Sequence, residues 1–238
     1  MNPGVVFGAE SIDVFYGNSQ ILFGVSLAVT EGQTMALLGR NGAGKSTTLK
    51  AIAGIAPPAR GIVRVLGKPL QGRKPHVIAR AGIGFVPEDR QVFPEHSVED
   101  NLIIGAKKGP GGEDYWTLAR VYEMFPLLVP LKDRMAGNLS GGEQQMLTIA
   151  RTLMGNPTGL LLDEPSEGLA PVIVERIAEL LRKLRDMGVT VLLAEQNMHF
   201  CLGIASHATV IDKGQIVYRD TIEALRKDDA VKARYLAL

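Results

Sequence analysis

Polar and apolar residues alternate along Val5–Tyr16 and again along Ile21–Val29, the period of two that half-buried strands require. Gly17-Asn18-Ser19-Gln20 between them turns the chain into an antiparallel pair. Met35–Leu38, Leu160–Leu162 with Gly159 leading in, and Val189–Ala194 are apolar almost throughout, as strands covered on both faces are. Val172–Met187 carries its apolar residues at helical spacing and stops at Gly188. Ile62–Leu66 and Ile83–Val86 read as short strands and Pro75–Ala81 as a short helix. The tail holds a hairpin, Ala208–Asp212 with Gln215–Tyr218 around Lys213-Gly214, then helices over Ile222–Arg226 and Ala230–Leu236.

From about Glu88 to Pro157 the strand pattern gives way to helices and loops. Ser97-Val98-Glu99-Asp100 is a capping-box start for a helix through about Ala106, Gly109–Gly112 turns the chain, and Asp114–Met124 reads as a second helix. Ser140-Gly141-Gly142 opens a third, reaching about Met154. Strands alternating with helices predict an α/β fold with a mainly parallel sheet covered on both faces and an N-terminal antiparallel annex. The expected organisation is a single domain over 1–238, with a core of 1–87 and 158–238 and an inserted helical subdomain of about 88–157.

Composition narrows the picture modestly. With 26 basic and 25 acidic residues the net charge is +1, so nothing in the bulk charge calls for a nucleic-acid partner. The single cysteine, Cys201, forms no disulfide framework and fits a reducing compartment as a small buried hydrophobe. Met1-Asn2-Pro3-Gly4 lacks the basic and apolar stretches of a signal peptide, and no run approaches the roughly 18 apolar residues of a membrane span. The expectation is a chain soluble by itself, with any membrane role supplied by partners.

Chemistry concentrates at Gly39-Arg40-Asn41-Gly42-Ala43-Gly44-Lys45-Ser46, which fits G-x-x-x-x-G-K-[ST] between the strand Met35–Leu38 and a helix over Thr47–Ala53. Glycines let backbone N–H groups converge on phosphate oxygens, and the helix N-terminus adds unpaired donors and a positive dipole end. Lys45 is placed to reach the β- and γ-phosphates of a nucleotide and the Ser46 hydroxyl to ligate Mg²⁺. The fold expected is therefore a phosphate-loop NTPase core. Leu160–Leu162 then delivers Asp163 and Glu164 to a strand end, where α/β proteins bind ligands. Such an acidic pair alone is often a solvated turn. Behind a phosphate loop it is the expected second half of an ATP site, with Asp163 placed to hold the Mg²⁺ shell and Glu164 to accept a proton from the attacking water. Leu139-Ser140-Gly141-Gly142-Glu143 is glycine-rich at a helix start; it reads as a cap by Ser140 with Glu143 as capping partner, and the same geometry makes an anion site.

Phosphate loop, LSGGE stretch and LLLDE strand, in this order, resemble the nucleotide-binding subunit of ATP-binding-cassette (ABC) transporters, over about Val5–Gln215. The resemblance implies a head-to-tail pair of ATPase subunits closing on two ATP molecules, with Ser140, Gly141, Gly142 and Glu143 of one acting in trans on the γ-phosphate held by Lys45 of the other. It implies that Thr47 belongs to the nucleotide-binding loop, that Tyr16 stacks on adenine, and that Pro165–Leu169 is a dimer contact lacking its usual Asp near Ala170.

Two positions depart from that pattern. Glu88 follows Val86-Pro87 where the family usually has Gln, and Gln196 stands where it usually has His. An amide still donates a hydrogen bond to a γ-phosphate oxygen but carries no proton. Gln196 is therefore expected to sense the γ-phosphate and Glu88 to couple near Mg²⁺, with His199 a structural residue. Pro87-Glu88-Asp89-Arg90, Gly168-Leu169-Ala170-Pro171 and Glu195-Gln196-Asn197 together are similar to the shorter ATPase of branched-chain amino acid importers, a branch with relatives serving urea or short amides. That implies a second ATPase, two transmembrane permease subunits and, indirectly, a periplasmic solute-binding protein. The chain would be peripheral on the cytoplasmic face of the inner membrane of a bacterium or archaeon, with Glu88–Asn101 against the permease. The rival reading is a soluble cassette ATPase serving as an assembly scaffold.

Overall fold

The alternating N-terminal stretches pair as expected. A computed structural model describes residues 4–236, in which β1 (Val5–Tyr16) and β2 (Ser19–Thr30) form an antiparallel ribbon turned by Gly17-Asn18 alone. Then come β3 (Thr34–Leu38), α1 (Lys45–Ile52), β4 (Arg60–Val65), β5 (Lys68–Pro69), α2 (Pro75–Arg80) and β6 (Ile83–Val86). The middle of the chain holds α3 (Val98–Gly105), α4 (Leu118–Met124) and α5 (Gly141–Leu153). It is followed by β7 (Gly159–Asp163), α6 (Pro171–Asp186), β8 (Thr190–Glu195), α7 (Met198–Cys201), β9 (His207–Asp212), β10 (Gln215–Thr221), α8 (Ile222–Lys227) and α9 (Asp229–Val231).

One sheet runs β2-β1-β4-β5 and is antiparallel. The other runs β10-β9-β3-β8-β7-β6 and is parallel except where β10 returns beside β9. Every residue of β3, β7 and β8 is buried, and the period of two sorts their side chains between two cores. Leu37, Leu161 and Leu192 join Phe7, Ile12, Leu22 and Leu49 under the antiparallel sheet. Leu38, Leu160, Leu162 and Leu193 face the other way, against Leu102 of α3, Leu147 and Leu153 of α5, and Ile177 and Leu181 of α6. A one-residue slip of any central strand would exchange these sets.

This topology brings four strand ends to one edge. β3 delivers Gly39–Ser46, β7 delivers Asp163-Glu164, β8 delivers Glu195-Gln196, and β6 delivers Pro87-Glu88. Pairing of Leu38 with Glu195, Asp163 with Ala194 and Val86 with Leu162 sets them level.

Two of the expected helices differ in extent from the sequence reading. The helix expected over Asp114–Met124 starts at Leu118, because the Trp116 N–H donates to Asn156 Oδ1 at 2.7 Å, the Trp116 ring is buried, and the Thr117 hydroxyl caps the helix after it. The helix expected over Ala230–Leu236 is a short turn, α9, capped one residue early by Asp228, followed by a wide π-turn over Lys232–Leu236. The capping box at Ser97 and Asp100 forms as expected. Among the described residues no helix is long and apolar enough to cross a membrane.

Candidate functional site

Gly44 joins the phosphate loop to α1 at φ 112°, a left-handed backbone conformation open to glycine. A Cβ there would lie 2.8 Å from Leu22 Cδ2, so the cradle is closed to any larger residue. The turn is anchored by Thr48, whose N–H and hydroxyl both donate to the Gly44 carbonyl at 2.9 Å. Among the described residues the N–H groups of Asn41, Gly42 and Gly44 have no protein acceptor, and the first N–H groups of α1, at Lys45, Ser46 and Thr47, have none within the helix. Asn41 and Gly42 are exposed and Ala43 is buried, so the donors line a rim open to a phosphate chain.

Lys45 is 3% exposed. Its Nζ donates to the carbonyls of Gly39 at 2.9 Å and Arg40 at 3.1 Å and pairs with Glu164 Oε1 at 3.0 Å. The Ser46 hydroxyl donates to Asp163 Oδ1 at 2.9 Å. Two constellations more than a hundred residues apart in sequence therefore meet atom to atom. Burial raises the Asp163 carboxyl above its ordinary range; the Ser46 hydrogen bond and Lys50 pull it down, while Glu164 and Glu88 push it up. Glu88 is exposed and shares a cleft of about 310 Å³ with Asp163, Lys50, Phe85 and Gln91. Hydroxyl and carboxylate oxygens are the hard donors that fit Mg²⁺, which takes one or two carboxylates and completes its shell with water and phosphate oxygens.

Glu164 has φ 46°, a left-handed backbone, with its N–H bonded to the Ala194 carbonyl at 3.0 Å. Gln196 is exposed just past β8, while His199 lies on α7 in a separate cleft with Arg226, Asp229 and Lys232. Tyr16 is 50% exposed at the end of β1, beside exposed Phe15.

Glu195 was not foreseen as a site residue. Burial raises its carboxyl to about 7 from 4.5, against the opposing pull of Ser166 and the Asn197 N–H. A carboxyl raised on folding costs stability as pH climbs from its unfolded value to its folded one. The Glu195→Gln variant should therefore gain on the parent protein between pH 4.5 and about 7 and hold that gain above, by on the order of 3 kcal/mol. Denaturation midpoints of both proteins at pH 5 and pH 8 check this; an equal difference at both values contradicts it.

At the start of α5 the capping box forms. Ser140 Oγ accepts from the Glu143 N–H at 3.4 Å, and Glu143 Oε2 accepts the Ser140 N–H at 2.7 Å. Gly142 is buried where α6 crosses, and a Cβ on it would lie 2.5 Å from Ile173 Cγ2. Sequence reasoning also missed Arg90. Its guanidinium lies beside Gly141 and donates to the Glu167 carbonyl at 3.4 Å, linking the loop after Glu88 to the turn after Glu164. Arg90 and Gln91 are both left-handed, held by the Thr148 hydroxyl on the Arg90 carbonyl and by Arg151 Nη2 on the Gln91 carbonyl at 2.6 Å. No hydrogen bond or ion pair among the described residues joins Ser140–Glu143 to Gly39–Ser46.

A family model described as ABC transporter matches residues 22–167. The chain is 43% identical over 227 residues to the high-affinity branched-chain amino acid transport ATP-binding protein BraG of Pseudomonas aeruginosa, covering 95% of this chain and 97% of that one. It is 33% identical over 231 residues to the lipopolysaccharide export system ATP-binding protein LptB of Escherichia coli, covering 96% and 95%. The solved ADP conformation of MJ1267, an ATP-binding cassette of an ABC transporter, matches with a TM-score of 0.82 at 28% identity, over 96% of this chain and 97% of that one.

Proposed function

The chain belongs to the ABC transporter family as an ATP-hydrolysing subunit, and from that premise we propose that it drives the import of branched-chain amino acids. The observation that carries the solute class is the 43% identity to BraG across nearly both full lengths, ten points above the likeness to LptB.

In this reading the free N–H groups of the phosphate loop and the Lys45 ammonium hold the phosphates, and Tyr16 stacks on adenine. Ser46 and Asp163 would hold Mg²⁺, with Glu88 beside them, and an ion bound there would supply neutralisation of phosphate charge. Glu164 orients a water molecule and takes its proton as the water oxygen attacks the γ-phosphorus and the bond to the leaving ADP oxygen breaks. Gln196 donates to a γ-phosphate oxygen. The signature Ser140–Glu143 acts on the nucleotide of a second ATPase subunit, and the partner's signature acts here. Segment 88–157 moves as a helical subdomain on closure. Its exposed Phe93, Ile103 and Ile104, with Met135 beside Ser97, offer apolar surface to the permease from the cytoplasmic face of the inner membrane.

The test is affinity purification of the tagged chain from detergent-solubilised membranes of the source organism, with its solute-binding protein screened against branched-chain amino acids, urea and short amides. Two polytopic subunits, a second cassette ATPase and stimulation by a branched-chain amino acid are expected. Stimulation by urea or an amide alone moves the solute assignment. Recovery of lipopolysaccharide-export or purely soluble partners overturns import.

A further inference from the structure

Glu195 ends β8 and is 2% exposed, yet the mechanism above gives it no task. Its Oε1 accepts the Ser166 N–H at 3.2 Å, and the Ser166 hydroxyl and the Asn197 N–H are turned to the same carboxyl. One side chain thus ties together two segments that leave neighbouring strands, Pro165–Leu169 after β7 and Gln196-Asn197 after β8.

Glu164 sits two residues before that tie. A glutamate in the left-handed region is strained and persists only where its surroundings hold it. Here the Glu164 N–H is held by the Ala194 carbonyl at 3.0 Å, the Glu167 N–H returns to the Glu164 carbonyl at 3.1 Å, and the Ser166 N–H between them is held by Glu195. An apolar residue would fill the end of β8 as well as Glu195 does but would leave the Ser166 N–H without its acceptor.

We propose that Glu195 is a positioning residue, which clamps the turn after Glu164 to the end of β8 and thereby fixes Glu164 and Gln196 relative to each other for hydrolysis. The inference rests on the assignment of those two residues to water and γ-phosphate. A residue that merely stabilised the fold would, when lost, impair ATP binding and turnover together. A clamp separates them, because the nucleotide is held from β3 and α1, whose side chains make no hydrogen bond to Glu195 among the described residues.

The experiment measures kcat and KM for MgATP in the assembled transporter carrying Glu195→Ala or Glu195→Gln. Glu195→Ala should lower kcat by about 30-fold with KM within about 3-fold, the size expected from one buried donor left unpaired. Glu195→Gln keeps an amide oxygen for the Ser166 N–H and should return kcat to within about 3-fold of the parent. If the alanine variant does not fold, Glu195→Leu, which keeps volume and loses the acceptor, is read in its place. Unchanged kcat in the alanine variant, a rise in KM equal to the fall in kcat, or a glutamine variant as impaired as alanine each overturns the clamp. Glu164→Gln and Gln196→Ala are measured alongside. Turnover retained in Glu164→Gln shows that the base assignment failed and takes the clamp with it, whereas a dead Glu164→Gln beside a normal Glu195→Ala overturns the clamp alone.

Discussion

Replacing Glu164 with Gln should cut ATP turnover by about a thousandfold, within the range general-base removal produces, while ATP binding is kept or strengthened. Two consequences follow from one geometry. Glu164 follows Asp163 at the strand end; in the role proposed for it, it takes the proton of the attacking water, and a neutral amide cannot accept that proton. The same carboxylate also holds the Lys45 ammonium at 3.0 Å in a site where the two side chains are 3% and 10% exposed. Phosphate must compete with that carboxylate for the ammonium. Glutamine relaxes the competition, because its amide oxygen attracts the ammonium less strongly than a carboxylate does, while Lys45 keeps the Gly39 and Arg40 carbonyls. Phosphate release and equilibrium ATP binding, measured on the same preparation, check both halves. Turnover within about tenfold of the parent would remove Glu164 as the base, and weaker ATP binding would show that the Lys45 pair assists the nucleotide rather than competing with it.

Much of this site was legible in the chain, for a physical reason. Phosphate binding by backbone N–H groups needs glycines and a helix start at fixed spacing, so Gly39–Ser46 announces itself locally, and the apolar run before Asp163 does the same for a buried strand that ends in carboxylates. Sheet order was not legible, since the neighbours of β3 are β8 and β9, far along the chain. Glu195 and Arg90 were invisible for a related reason. A glutamate after an apolar strand looks like any polar strand end, and only the return of Ser166 across the strand edge shows that it is buried and bonded. Arg90 lies in a polar loop whose two left-handed residues carry no glycine to mark them, and they are held by side chains of α5, about sixty positions away. Trp116 is the opposite case: the helical pattern around it holds from Leu118 onward, but a hydrogen bond to Asn156 from another part of the chain keeps Trp116 itself outside the helix. Local pattern sets elements; groups satisfied by distant partners appear only once the chain has folded.

Lys45→Ala should lower ATP affinity by about a hundredfold or more, because it removes an ammonium placed at the phosphate loop, and charge-assisted hydrogen bonds to phosphate are the strong class. It should also destabilise the free protein. Glu164 would lose its cation at 10% exposure, and breaking one side of a buried pair costs about 3–5 kcal/mol at full burial, less here because the carboxylate retains a path to water. The double variant Lys45→Ala with Glu164→Gln separates the two effects. With the uncompensated charge gone, its stability should return most of the way to that of the parent, while neither ATP affinity nor turnover recovers. Lys45→Arg is the sharper control. The three acceptors around Nζ, at 2.9, 3.1 and 3.0 Å, are set for a compact ammonium, and a planar guanidinium in a site 3% exposed cannot reproduce that arrangement without displacing the loop. Charge alone is then insufficient, and the arginine variant should bind ATP nearly as poorly as the alanine variant. Denaturation midpoints and ATP titrations of the four proteins decide it. If arginine restores ATP binding, Lys45 acts as a point charge and the carbonyl cage around it is incidental. If the double variant is no more stable than Lys45→Ala, the ion pair is not what Lys45 contributes to the free fold.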